Sequence, residues 1–125
     1  MHGKGEQDHP DGLRVDAIGG VLLISATGAT GPEEAERLEE HLERASAGAR
    51  NVVVDLTGSE APDDRTLKVL RRAWQRLGDR LRVVAPPASE PAAAIKREGL
   101  RRFAVHATLS GALTQAGGGR RTPRA

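Results

Sequence analysis

The sequence predicts an α/β fold on a mixed β-sheet, with an N-terminal antiparallel hairpin followed by parallel strands joined by helices. Three observations predict it. Two short alternating apolar runs flank Gly19-Gly20, strand-like and helix-like periodicities then take turns along the chain, and most of the helix-like segments carry capping or stop residues. Strands joined through helices must run parallel, because such a crossover returns the chain to the same end of the sheet.

Leu13 to Ile18 and Val21 to Ala26 form the hairpin, and Gly19-Gly20 suits its two-residue turn. From Pro32 the residues Ala35, Leu38, Leu42 and Ala45 fall on one helical face. Pro32 fits the first turn, Glu33, Glu34 and Glu36 favour the positive helix N-terminus, and Gly48 ends the helix. Asn51 to Leu56 contains the continuous run Val52-Val53-Val54, as a strand buried on both faces would. A second helix runs from Asp64 to Leu77 on Leu67, Leu70, Trp74 and Leu77, with Gly78 as its stop. Asp63 is its N-cap, since a carboxylate there can accept the unpaired N–H groups of the first turn. Leu81 to Ala85 is the next strand, stopped by Pro86-Pro87. Ser89 caps a short helix from Glu90 to Glu98, and Phe103 to His106 is the last strand. The final helix, Leu109 to Ala116, is expected to dissolve into Gly117-Gly118-Gly119.

The chain has 125 residues, 29% of them charged, with a net charge of +2, which fits one domain over 13–116. Residues 1–12 and 117–125 read as disordered tails by their Gly, Pro and charge content, the second of them basic. No cysteine is present, so disulfides, thiol chemistry and cysteine-zinc sites are excluded. No apolar run approaches the ~18 residues of a membrane span, and 1–12 lacks the apolar stretch of a signal peptide. A cytoplasmic protein without membrane contact is expected. The basic residues of the C-terminal tail account for most of the charge excess, and the body is nearly balanced, which argues against direct nucleic-acid binding.

Thr27-Gly28-Ala29-Thr30-Gly31 lies between a strand and a helix, where a dinucleotide-binding fold places its phosphate loop. Glu34 occupies the third glycine position, however, and with Glu33 puts carboxylates where a helix N-terminus should receive a phosphate. A small nucleotide-binding domain using the Gly28–Gly31 loop is thus the alternative from another class. The four histidines, His2, His9, His41 and His106, lack metal-ligand spacing, and Asp63-Asp64 reads as a cap with a favourable dipole interaction. No catalytic residue, cofactor or metal is expected. Pro32 to Ala47 holds six acids and two Arg, whereas Asp64 to Arg80 holds six basic residues and two acids. That contrast either pairs the two helices or orients a charged partner.

The order of elements, together with Val52-Val53-Val54-Asp55-Leu56-Thr57-Gly58 ahead of a helix starting at Asp63, resembles a STAS domain, the fold of bacterial anti-sigma factor antagonists. Leu81-Arg82-Val83-Val84 and Glu98-Gly99-Leu100 add to the resemblance, which covers 13–116. It implies a non-catalytic switch that binds an anti-sigma factor, often a serine kinase, which then phosphorylates a Ser or Thr at the start of the second helix. A phosphate there is favourable to the helix dipole yet adds about two negative charges to the docking surface.

The chain departs from the family at this point. The family's Asp-Ser-Ser/Thr-Gly-Leu aligns with Asp63-Asp64-Arg65-Thr66-Leu67, so Arg65 stands at the phosphoacceptor position. Ala26-Thr27-Gly28-Ala29 likewise replaces the usual stretch after the second strand. Three readings follow. The domain binds its partner without phosphorylation control, through Ser59, Glu60, Asp63, Asp64, Arg65 and Thr66. Alternatively Thr66 or Ser59 takes over as acceptor, although the backbone can occupy a first-turn threonine hydroxyl. In the third, Asp64 acts as a fixed negative charge, largely offset by Arg65.

Overall fold

The computed structural model describes residues 12–29, 31–48, 50–98 and 104–121. Strands β1 (Gly12–Ile18) and β2 (Val21–Gly28) pair antiparallel, from Gly12 opposite Thr27 to Ile18 opposite Val21. The turn between them is Gly19-Gly20, with φ of +56° and +84°, a backbone region that side-chain-bearing residues enter only under strain. Next come α1 (Pro32–Ala47), β3 (Asn51–Ser59), α2 (Asp64–Leu77), a 3₁₀ turn (Gly78–Arg80) and β4 (Leu81–Val84). The chain closes with α3 (Glu90–Arg97), β5 (Ala104–His106) and α4 (Leu109–Arg121). The sheet order is β1-β2-β3-β4-β5, parallel from β2 onward, so the expected mixed sheet is the one found.

Alternation along the strands divides the core in two. Ile24, Ala26, Val52, Val54, Leu56, Leu81 and Val83 meet α1, α2 and α3 on one face. Val21, Leu23, Val53 and Val84 meet Ala112 and Ala116 of α4 on the other. Both faces of β3 are therefore covered, as its valine run requires. Leu67, Leu70 and Leu77 of α2 are buried as the spacing predicts, with Val69 and Ala73 beside them, whereas Trp74 packs half-buried against the rim.

Several boundaries differ from the sequence expectation. Strand β3 runs on to Ser59 because Thr27 and Gly28 continue the ladder with Gly58 and Ser59, after a register shift beyond Ser25. The Thr27 side chain lies over Gly58, so a Cβ there would meet Thr27 Cγ2 at 3.0 Å. Gly12 belongs to β1 and not to a tail. Strand β4 stops at Val84 and α3 at Arg97, one residue short in each case. Helix α4 continues past Ala116 to Arg121. Each of Gly117, Gly118 and Gly119 costs a helix about 1 kcal/mol relative to alanine, about 3 kcal/mol together, and the helix that bears this cost is anchored by Ala112 and Ala116. The remaining tails, 1–11 and 122–125, lie outside the described residues, as do Thr30, Gly99-Leu100 and Phe103.

Candidate functional site

The loops that follow β2, β3 and β4 gather at the carboxyl edge of the parallel strands, where open α/β sheets place their sites. At this edge Glu60 N–H donates to Gly28 O at 3.0 Å, which ties the loop after β3 to the end of β2. The Ser59 hydroxyl donates to Glu60 O at 2.7 Å. Ala61 N–H donates to the Glu90 carboxylate at 3.3 Å, so the first turn of α3 steadies the same loop. Glu90 was not legible as part of this edge in the sequence, since only the parallel register brings the starts of α2 and α3 together.

Helix α2 starts as the capping pattern predicts. Asp63 has extended backbone and its Oδ1 accepts from Thr66 N–H at 2.9 Å, satisfying one of the first-turn donors. Asp64 and Arg65 are exposed, as is Glu60, and Ser59 is half-buried. Thr66 does not share that surface. It is 1% exposed and lies with Leu13, Ala26, Glu34, Leu38, Val54 and Leu56 around a void of about 10 Å³ beneath the helix. The backbone does not occupy its hydroxyl, and Thr66 Oγ1 is without a hydrogen-bond partner among the described residues. Of the six residues singled out by sequence, five line the surface at this edge and the sixth sits under it. The signal for this was present: Thr66, Leu70, Ala73 and Leu77 recur at helical spacing on the buried stripe.

Beside Arg65 a groove of about 480 Å³ opens between α1 and α2, lined by Glu39, Asp64, Arg65, Lys68, Val69 and Arg72. The charge contrast between the two helices is partly resolved across it. Arg72 Nη1 reaches Glu39 Oε2 at 3.2 Å, and farther along Arg76 reaches Glu43 at 3.8 Å.

The other candidate loop closes on itself. Glu34 Oε1 accepts from Gly31 N–H at 2.9 Å, the return half of a capping box, so a carboxylate of the chain already holds a donor that a phosphate would need. The two described histidines lie elsewhere. His41 on α1 has a pKa lowered first by burial and then by Arg44 and Arg37, against a raising effect from Glu40. His106 on β5 has a pKa lowered by burial and then by Arg82, whose Nη1 lies 3.3 Å from His106 Nε2. Among the described residues no three His, Asp or Glu side chains converge as a metal set would, and no helix is long and apolar enough to cross a membrane.

No family model matches the sequence, and neither does any curated protein. Solved structures do. The crystal structure of an anti-sigma factor antagonist from Mycobacterium paratuberculosis matches with a TM-score of 0.71 at 29% identity, over 83% of this chain and 92% of that one. The chain has the fold of the anti-sigma factor antagonists. An anti-sigma-factor antagonist (STAS) domain protein from Planctomyces limnophilus shares this STAS fold at 18% identity and a TM-score of 0.63, over 85% of this chain and 98% of that one. So does the anti-sigma factor antagonist SpoIIAA in its unphosphorylated form, at 12% identity and a TM-score of 0.64, over 82% and 96% of the two chains. The STAS resemblance read from segment order thus agrees with the three-dimensional comparison.

Proposed function

We propose that this STAS domain is a non-catalytic interaction module that binds an anti-sigma factor or a related serine-kinase-type regulator in the cytoplasm, without a serine phosphorylation switch. The contact face would be the loop 59–62 with the start of α2. The observation that carries this reading is the exchange at that helix start, where Arg65 is exposed at the position the resemblance gives to the acceptor and the neighbouring Thr66 hydroxyl is buried. A kinase would have to open the first turn of α2 to reach Thr66. Ser59 is the more accessible hydroxyl, and it is engaged with Glu60 O at the strand end. Asp63 would cap, while Asp64 and Arg65 would set the charge a partner meets.

The test is affinity capture of the tagged full chain from its own cells, comparing wild type, Arg65→Glu and Arg80→Glu, with the bait's phosphosites read by mass spectrometry. Arg65→Glu is expected to lower recovery of an anti-sigma factor about tenfold, equivalent to ~1.4 kcal/mol, and Arg80→Glu much less. Equal losses would place the face elsewhere. A phosphate on Ser59 or Thr66 would restore the covalent switch. The nucleotide reading is tested by equilibrium dialysis with ATP and GTP, where tight binding would displace the interaction reading despite Glu34 on Gly31.

A further inference from the structure

The groove between α1 and α2 carries two kinds of cation. Downstream, Arg72 and Arg76 are answered by Glu39 and Glu43 of α1. Upstream, Arg65 and Lys68 point no charge at any carboxylate within 4.0 Å among the described residues, although both line the groove. Arg65, Lys68 and Arg72 stand at i, i+3 and i+7, so they share one face of α2 over about 10 Å of helix rise. The half-groove nearest the loop 59–62 therefore holds two cations with no carboxylate in reach among the described residues, Arg65 and Lys68, against the single carboxylate of Asp64, while its continuation is already neutralised within the domain.

We propose that this upstream half receives an acidic helical segment of the protein partner, whose carboxylates pair with Arg65 and Lys68. The inference rests on the reading that the start of α2 is the partner-binding face, and adds the chemistry of what binds there. One turn of a partner helix with acids at i and i+3 or i+4 matches the spacing of Arg65 and Lys68. Val69 lies at the floor of the same groove and is itself buried in the core, so the groove's exposed lining is charged. The carboxylates of Asp64 and Glu39 also line the groove, and α1 carries six acids along its length, which favours a discrete acidic peptide over a continuous phosphodiester backbone. Those same acids would fix register, since a partner helix displaced along the groove would set its carboxylates against Asp64 or Glu39.

The probe is a fluorescein-labelled 15-residue helical peptide with glutamates at i, i+4, i+7 and i+11, titrated into the full chain and mapped by amide chemical shifts. A peptide with those glutamates changed to glutamine and a single-stranded oligodeoxynucleotide serve as controls. Perturbations are expected at residues 64–72, with affinity at least tenfold weaker for the glutamine peptide and for Arg65→Glu/Lys68→Glu, whose fold is checked by circular dichroism. Salt raised from about 50 to about 300 mM should weaken binding severalfold. Perturbations centred on Arg14, Arg50 or Arg82, or tighter binding of the oligonucleotide, would overturn the inference. Concentration-dependent dimerisation abolished by the double variant would also overturn it, because the occupant would then be a second copy of the chain. If the peptide maps elsewhere while capture still depends on Arg65, the inference fails and the proposed function stands. If the peptide binds the groove but Arg65→Glu leaves capture unchanged, the proposed function fails instead.

Discussion

The two faces of the sheet are covered very differently. One face meets three helices and buries large side chains such as Leu38, Leu42, Leu67, Leu70 and Ile95. The other, among the described residues, meets only α4, through Ala112 and Ala116, with Leu109 and Leu113 half-buried beside them. Apolar burial contributes roughly 25 cal/mol per Å², so leucine-rich contact outweighs alanine contact severalfold. The proposed docking surface stands on the heavily packed face, where α1 and α2 hold each other and the sheet. A partner there meets a surface whose geometry is fixed before binding, which lowers the ordering cost of association.

The largest expected effect tests that asymmetry directly. Leu70→Ala, at a fully buried position of α2, should cost about 3 kcal/mol in urea denaturation. Leu113→Ala on α4 should cost about 1 kcal/mol, because that side chain is only partly buried in the folded chain. Equal losses would show that α4 carries as much of the fold as the three-helix layer. In the opposite direction, Thr66→Val keeps the shape and removes a buried hydroxyl that lacks a partner among the described residues, so it should stabilise by about 1 kcal/mol. Destabilisation would reveal that the hydroxyl has a role in the native state.

Most of the architecture was legible in the sequence, because periodicity and capping report on one element at a time. Leu38 and Leu42, or Asp63 before α2, need only local rules to be placed. What escaped depended on neighbours. The extension of β3 through Gly58 and Ser59 is set by Thr27 and Gly28 on the adjacent strand, and those residues read locally as turn formers. Helix α4 runs on through its glycines beyond the docked residues Ala112 and Ala116, against the helix-ending tendency that their composition expresses. At the candidate site, Arg65 and the Asp63 cap were readable. The burial of Thr66 was obscured by its polarity, and the pairing of Arg72 with Glu39 required knowing that α1 and α2 lie side by side.

The smallest expected effect concerns pH. His41 on the three-helix side and His106 at the end of β5 both have pKa values held below the ordinary 6.5 in the folded chain. The unfolded chain then binds protons more readily, so this contribution to stability is complete above pH 6.5 and fades as pH falls below it. The urea midpoint should decline slightly between about pH 7 and about pH 5.5, before carboxylates titrate. His41→Gln and His106→Gln should each flatten that decline. An unchanged slope in both variants would assign the acid sensitivity to other groups.

Each strand of this sheet pairs with its nearest neighbour in the chain, in the order β1 to β5. That order keeps the separation between contacting residues short, a property associated with rapid folding. Every new βα unit finds its template already laid down by the residues before it, and the loop to be closed is never much longer than one helix. The hairpin can form first, β3 can add to it through α1, and β4 and β5 can follow as they leave the ribosome. Assembly from one edge to the other leaves few unpaired strands waiting for a distant partner, and so limits the exposure of sticky intermediates during synthesis.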